Sequence, residues 1–398
     1  MFEAPLSDVI AIDTDTETIH FYSSAGNGQK DSHLAANYRA RPFSEEFFEK
    51  FGKILKSYQQ KNPASPLTKV SLVLPDHVFL TDTINIPAIG KKAMEHSLEV
   101  AVGAVYKNKK DLKFRTYPMV QNKQYATYGL VGVRKDLLAR LNSVCSEYQI
   151  SVQNITFAAN AMVNGVCVLN PKLKNGTFLV LDIKENASRF AFVNKGRTVG
   201  FYQLPFGYSM LYKSRLAAED LLFEHASAEL LVLNAKEKAK AKQLTMMGEE
   251  VLTDPDAQET VRPSGGYAEE EGAMFDVASS AEGKKTARKL PKFMLRDVPT
   301  DREGFVYENF RIFLKWTLEL IANNPSITTL GAVSTVYVNM PRTFDFLYDM
   351  VNAEEKENKV KFMPLVTGAS FDASAAGAKD LELFGALYVK QFNKTNNF

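Results

Sequence analysis

Cysteine is nearly absent from this chain. Cys145 and Cys167 are the only two in 398 residues, and they do not form a CxxC pair. Two isolated thiols fit a reducing compartment, and core filling is the reading for each. Histidine is scarce as well. His20, His33, His77, His96 and His225 are scattered without ligand spacing, so no histidine-based metal site is read. Charge of one sign is missing: 48 Lys and Arg face 46 Asp and Glu, a formal net of +2. That balance gives no electrostatic reason to expect nucleic acid or a polyanionic substrate. No apolar run approaches the roughly 18 residues that span a bilayer, so direct membrane insertion is not expected. The first residues, Met1 to Asp13, lack a basic stretch followed by an apolar one, so a signal peptide is not expected and the cytoplasm is the expected location.

What the chain does have is ordinary globular composition, 45% hydrophobic and 24% charged. Its length exceeds one hydrophobic core, so two or more domains are expected. Asp8 to Ile12 reads as a buried strand, Asp13 to Thr16 as a polar turn and Ile19 to Ser23 as the return strand. Ser44 suits a helix N-cap, and Phe47, Phe48, Phe51, Ile54 and Leu55 follow at helical spacing. Val70 to Leu74 is a short buried strand closed by Pro75-Asp76. The stretch 77–150 reads as a compact α+β unit: a strand at His77 to Ile86, a helix at Ala88 to Val105, strands at Lys113 to Val120 and Tyr125 to Val133, and a helix at Lys135 to Tyr148. A strand at Ile150 to Phe157 and an Ala-rich helix at Ala158 to Leu169 follow.

The pattern then restarts. Thr177 to Ile183 is a buried strand carrying Asp182, Ser188 to Asn194 is its hairpin partner, and Thr198 to Leu204 is a third strand after the Lys195-Gly196 turn. One device is used twice: buried strand, Asp, polar turn, return strand. This approximate duplication is the most informative organisational feature. Residues 235–300 break the pattern with a Lys/Ala/Glu run and then Glu, Asp, Gly, Ser and Pro, too few large apolar residues to order themselves, and read as a mobile insertion. A helix is expected at Arg302 to Asn323, a strand at Val333 to Val338, a helix at Arg342 to Val351, a strand at Val360 to Leu365 and a closing helix at Ala376 to Phe392.

Five passages carry a resemblance. They are Asp8 to Tyr22 (DVIAIDTDTETIHFY), Val70 to Val102, Gly129 to Val166, Phe178 to Leu211 (opening FLVLDIKENASRF) and Leu381 to Lys390 (LELFGALYVK). In this order they resemble the PilM family of type IV pilus assembly proteins and, more distantly, the cell-division protein FtsA. The implied fold is α/β: a two-lobe actin-like arrangement, a duplicated ribonuclease H-like unit, with a small α+β subdomain inserted in the first lobe. The implied division is 1–76 with 151–175 and 376–398 as the first lobe, 77–150 as the inserted subdomain, and 176–375 as the second lobe. The insertion's position after Pro75-Asp76 separates this pattern from actin and Hsp70. The end of the chain soon after its closing helix favours PilM over FtsA, which carries a C-terminal membrane helix.

The resemblance implies ATP in the cleft between lobes, with Mg²⁺ held near Asp13 and Asp182. The residues at the matching positions are Asp13, Thr14, Asp15 and Thr16 in the first turn, Asp182, Lys184, Glu185 and Asn186 in the second, and Asn339 after the later strand. The family's glycines are missing from all three. Asp15 would bring negative charge beside the phosphates. Lys184 would contact a phosphate or fill the place of one. Asn339-Met340-Pro341 would occupy the nucleotide's space where the family has a Gly-Gly pair. Weak or lost nucleotide binding, and no catalytic residue, is therefore the expectation.

The resemblance further implies a cytoplasmic scaffold beneath an inner-membrane pilus platform. Its partner would be a PilN-like bitopic membrane protein whose short cytosolic peptide lies between the first lobe and the subdomain, near Val78, Leu80, Ile84, Met94, Leu98 and Leu130. Pilus motor ATPases are further candidate partners. Two rival classes are an ATPase or kinase of the superfamily, which needs the missing glycine contacts, and an FtsA-like filament former, testable by sedimentation. The blander reading of Asp13, Asp15 and Glu17 is a polar hairpin turn. The Phe/Trp stripe from Phe305 to Trp316 reads as lobe core, and Lys284 to Lys292 as a solvated flank that touches anionic lipid heads at most.

Overall fold

The computed structural model describes residues 8–23, 32–63, 66–87, 91–106, 109–121, 125–213, 302–323, 333, 335–354, 361–365 and 381–387. The 235–300 insertion, the Lys284 to Lys292 run, and residues 376–380 and 388–398 lie outside them.

The first half builds one five-stranded sheet. β1 (Asp8–Asp13), β2 (Thr18–Ser23) and β3 (Ser32–Asn37) form an antiparallel meander, and β4 (Lys69–Leu74) and β8 (Ser151–Phe157) extend it in parallel, in the order β3-β2-β1-β4-β8. Sequence reasoning did not anticipate β3, whose Ser-His-Leu-Ala-Ala-Asn composition carries no clear alternation. Side chains alternate across the sheet. On β1, Ile10 and Ile12 join the core under α1 (Glu45–Lys61), while Val9 and Ala11 face the opposite layer with α4 (Ala158–Leu169) and α7 (Leu381–Leu387). The α1 N-terminus is capped as expected: Phe47 N donates to Ser44 Oγ at 3.2 Å.

The second half repeats the plan. β9 (Thr177–Ile183), β10 (Ser188–Asn194) and β11 (Arg197–Leu204) form the meander, and β12 (Thr335–Asn339) and β13 (Lys361–Pro364) extend it in parallel, in the order β11-β10-β9-β12-β13. The two sheets share one topology, so the duplication read from sequence is structural. Leu179, Leu181, Phe190 and Phe192 face a core shared with α5 (Arg302–Ala322) and α6 (Phe346–Glu354), where Phe206 and Phe313 stack at 5.0 Å. Phe178, Val180, Ala191 and Val193 face the other way, into the core that contains α4. The aromatic stripe of α5 is thus lobe core, as its spacing suggested. Residues Arg342–Phe344 form a 3₁₀ turn, so α6 begins four residues later than expected, at Phe346.

Helix α4 joins the halves. Ten of its twelve residues are apolar or glycine and eleven are buried, the pattern of a helix covered on every side. It packs on β4 and β8 of one sheet and on β10 and β11 of the other. α7 crosses it at glycines: a Cβ on Gly385 would lie 1.8 Å from Ala161 O. Only glycine permits that approach.

Between β4 and β8 lies a three-stranded antiparallel sheet, β5 (Phe79–Pro87), β7 (Tyr125–Arg134) and β6 (Leu112–Gln121) in the order β5-β7-β6, covered by α2 (Lys91–Val105). His77 and Val78 fall in a 3₁₀ turn, Asp76–Val78, not in the expected strand. The next helix, α3 (Lys135–Glu147), packs on α1 and β8, and its Leu138, Leu141, Val144 and Cys145 belong to the first-sheet core. The arrangement is a two-lobe actin-like α/β fold with a small α+β insertion.

Candidate functional site

The two Asp-bearing turns face each other across the lobes. The first is closed by its own carboxylate. Asp13 Oδ1 accepts from Asp15 N at 2.9 Å and Thr16 N at 3.4 Å, and Asp13 Oδ2 accepts from Thr16 Oγ at 2.9 Å. This is an Asx-type turn, in which a side chain does the work of a turn backbone. Glu17 supplies the left-handed residue that closes it, at φ 52°. Burial alone would raise the Asp13 pKa, but the Lys184 charge and the turn's hydrogen bonds outweigh it and hold the carboxyl below its usual range. Asp15 reaches the other lobe, accepting from Gln203 Nε2 of β11 at 2.6 Å. Thr14 is half-buried at the turn's start.

The second turn, Lys184 to Ala187, is bound by its own chain. Lys184 O accepts from Tyr208 N at 2.9 Å and Glu185 O from Ser209 N at 3.0 Å. Ser209 Oγ also donates to Asn186 Oδ1 at 3.2 Å. Glu185 and Asn186 are exposed. The Lys184 side chain forms an ion pair with Glu382 in the first turn of α7. Its pKa is raised: burial opposes the charge, and the Glu382 and Asp182 carboxylates more than restore it.

Asp182 is 1% exposed. Strand register explains its surroundings, because Arg189 of β10 and Asn339 of β12 are its two cross-strand partners. Asn339 Nδ2 donates to Asp182 Oδ1 at 2.9 Å, and Arg189 Nη1 lies 3.9 Å from Asp182 Oδ2. Burial pushes the Asp182 carboxyl up to about 6, against the pull of Lys184, and Glu382 adds to the rise. Arg189 also crosses to the first lobe and forms an ion pair with Asp76. Asp76, itself 2% exposed, accepts from Ala159 N at 2.8 Å and so caps α4, whose own N-cap, Phe157, has no side-chain acceptor. Glu382 is held below the usual carboxylate range: burial raises it, and Lys184 and Arg189 outweigh that.

The structure thus brings Asp13, Asp15, Asp182, Lys184 and Asn339 into one interlobe cluster. It adds four residues that sequence reasoning did not nominate: Asp76, Arg189, Gln203 and Glu382. Arg189 was recoverable from the hairpin register opposite Asp182; Glu382 and Gln203 leave no local signal. Three buried atoms in the cluster, Asp182 Oδ2, Arg189 Nη1 and Glu382 Oε2, have no hydrogen-bond partner among the described residues. Where the sequence suggested Asp15 as an added negative charge and Lys184 as contacting a phosphate or filling its place, Asp15 accepts from Gln203 and Lys184 pairs with Glu382.

The expected peptide groove is dispersed. Ile84 and Leu130 are 5% and 1% exposed and form the interior of the subdomain beneath α2, with Leu80 and Leu98 half-buried at its margin. Ile84 and Leu130 are core because α2 covers that face of the sheet, so these two do not line the expected groove. Val78 packs on the first-sheet core instead. The Met94 side chain lies outside the described residues. Cys145 and Cys167 are buried, and burial pushes both thiols up to about 12, so neither is a nucleophile at neutral pH. No cluster of three metal-ligating side chains occurs, and no helix is long and apolar enough to cross a membrane, among the described residues.

No family model matches the sequence, and no curated protein matches it in sequence. Solved structures do match. The PilM-PilN type IV pilus biogenesis complex aligns over 96% of this chain and 97% of its own at a TM-score of 0.52 and 10% identity. The ethanolamine utilization protein EutJ from Carboxydothermus hydrogenoformans aligns over 97% and 90% at 0.39 and 11% identity. The cytoplasmic domain of EpsL, an inner-membrane component of the Vibrio cholerae type II secretion system, aligns over 53% and 74% at 0.35 and 12% identity. The first of these establishes a shared fold from end to end.

Proposed function

We propose that this protein is a cytoplasmic, actin-like scaffold of a type IV pilus or type II secretion-like platform. It is recruited to the inner face of the membrane by a short cytosolic peptide of a PilN-like bitopic protein, and its nucleotide site is degenerate. The observation that carries the reading is the interlobe cluster. ATP and Mg²⁺ are what the fold implies, and the residues present do not fit them. A Mg²⁺ at Asp13 or Asp182 competes with Lys184 and Arg189 for the same carboxylates, and Mg²⁺ gives up its water reluctantly. The Asp13 oxygens are committed to their own turn. The carbonyls of the second turn are taken by Tyr208 and Ser209. Met340, 7% exposed, stands where the family keeps a glycine. Cross-lobe contacts that a nucleotide makes elsewhere in this fold are made here by side chains, which favours a scaffold over an enzyme.

The partner half of the reading rests on the shared fold with the PilM-PilN complex and on the half-buried apolar margin at Leu80 and Leu98. Two measurements test it. Calorimetric titration with Mg-ATP is expected to give no heat of binding, and micromolar affinity overturns the degenerate site. Affinity capture from detergent-solubilised membranes is expected to return a bitopic protein, with Leu98→Asp weakening the capture. Recovery of no membrane partner overturns the platform assignment.

A further inference from the structure

A cavity of about 470 Å³ lies between the inserted subdomain and the second lobe, lined by Tyr117, Met119, Asn175, Asn194, Lys195 and Arg197, with Pro118 and Val199 completing it. It is separate from both the interlobe cluster and the margin between subdomain and first lobe. Its volume falls within the range of ordinary ligand pockets, about 300–1,000 Å³.

One of its cations is fixed by its side chain, Arg197, and the other, the exposed Lys195, by its backbone. Lys195 and Gly196 form the β10–β11 turn with φ of 51° and 69°, the geometry of a tight two-residue hairpin. The turn is pinned, because Lys195 N donates to Gly176 O at 2.9 Å and Gly196 packs on Lys174 O. The Arg197 guanidinium lies 5.8 Å from the centre of the Tyr117 ring and donates from Nη1 to Pro118 O at 3.4 Å. Tyr117, 2% exposed, is fixed in turn by donating to Thr198 O at 3.0 Å. Among the described residues, neither Lys195 nor Arg197 pairs with a carboxylate and no acid lines the cavity. Asn194, also in the lining, accepts from Thr177 through Oδ1 at 3.0 Å.

The apolar part comes from two sheet edges. β6 and β11 are edge strands, and each carries one extra residue where they meet. On β6 the pairing skips from Pro118 to Val120, leaving Met119 out; on β11 it skips from Thr198 to Gly200, leaving Val199 out. Bulges of this kind re-aim a side chain and end ladder pairing. Recognition here therefore runs through side chains, not through an added strand.

We propose that this cavity receives an acidic side chain from an extended segment of a partner protein, with an apolar neighbour resting on Met119 and Val199. Charge complementarity selects this occupant: two cations, one fixed by its side chain and one by its backbone, with no paired carboxylate among the described residues, beside an apolar pair where two bulged edges leave side chains to make the contacts. The probe is a fluorescein-labelled peptide of alternating Val and Glu, titrated with the full chain by fluorescence anisotropy, with Val-Gln and Val-Lys peptides alongside. The Val-Glu peptide is expected to bind and to weaken as salt rises. Lys195→Asn, exposed and tolerant of its left-handed backbone, is expected to weaken it about three-fold, and Arg197→Gln about ten-fold, with Arg197→Lys intermediate. Equal binding of the Val-Gln peptide, or no effect of Lys195→Asn, overturns the proposal, and the latter decides alone if Arg197→Gln does not fold. Displacement of the peptide by equimolar hexanoate overturns the assignment to a protein segment. Capture of the membrane partner does not use these cations, so the two readings fail separately.

Discussion

Replacing Arg189 with Met tests whether the interlobe cluster holds the lobes together. The Arg189 side chain is 11% exposed and its partner Asp76 is 3% exposed, so solvent screens the pair little. Met keeps most of the volume and removes the charge. Asp76 then stays buried with only the Ala159 N–H to support it, and Asp182 loses the cation 3.9 Å away. Breaking one side of a buried pair costs about 3–5 kcal/mol. Urea unfolding at pH 7 is expected to show a midpoint lowered by about 1 M or more. Asp76→Asn is expected to cost a comparable amount, because it strands Arg189. The double variant Asp76→Asn with Arg189→Met is expected to cost about 1–3 kcal/mol less than the sum of the singles. Additive singles, or a cost below about 1 kcal/mol for Arg189→Met, would refute the claim that this pair couples the lobes.

Asp182→Asn tests the pH dependence. Burial raises the Asp182 carboxyl to about 6, so the folded state holds a proton that the unfolded state releases near pH 4. Stability therefore falls as pH rises from about 4 to 6, by about 3 kcal/mol from this group, and Asp182→Asn should flatten that slope; an unchanged slope in pH-dependent urea melts would count against it. Gly385→Ala places a methyl 1.8 Å from Ala161 O, a backbone atom that cannot swing away, and should lower stability by several kcal/mol or abolish soluble expression. A normal thermal transition for that variant would mean that α4 and α7 do not cross as described. A ligand at 100 times its Kd stabilises by about 2.7 kcal/mol, so Mg-ATP at about 1 mM should leave the melting temperature unmoved, and a clear upward shift would indicate a working nucleotide site.

Much of the fold was legible because its signals are local and repeated. The buried strands around Ile10 and Leu179 are continuous apolar runs, and each carries an aspartate at or beside its end before a polar turn. β3 escaped because an edge strand with one half-exposed face needs no alternation, and Leu34 is 47% exposed. α3 follows the insertion in sequence, but its apolar face belongs to the core shared with α1 and β8. The candidate site was legible only on one side. The aspartates announce themselves by their place in the duplicated hairpin. What neutralises them depends on strand register and on a helix that begins 199 residues after Asp182, information that no window of sequence contains.

On the proposed reading, the altered turns and the filled cluster have one physical origin. A phosphate-binding turn needs glycine because a ligand must come close to its backbone. In the second turn here the group that comes close is the chain itself. Gly207 lies so near Glu185 that a Cβ would be 2.2 Å from its carbonyl oxygen, and the next two amides, of Tyr208 and Ser209, donate to the turn. Here the glycine lies on the segment that approaches, not in the turn. Lys184 is then free of any steric demand for a small residue, and its side chain extends to Glu382. In the first turn the Asp13 carboxylate binds the amides of Asp15 and Thr16 directly, so those amides are turned toward a fixed anion. On the proposed reading of a degenerate site, glycine at position 184 alone does not open this turn to a phosphate, because the Gly207 to Ser209 segment still packs on it. Lys184→Gly is accordingly expected to lose the Glu382 pair and its stability without gaining Mg-ATP affinity, and calorimetric binding by that variant would refute this account of the turn.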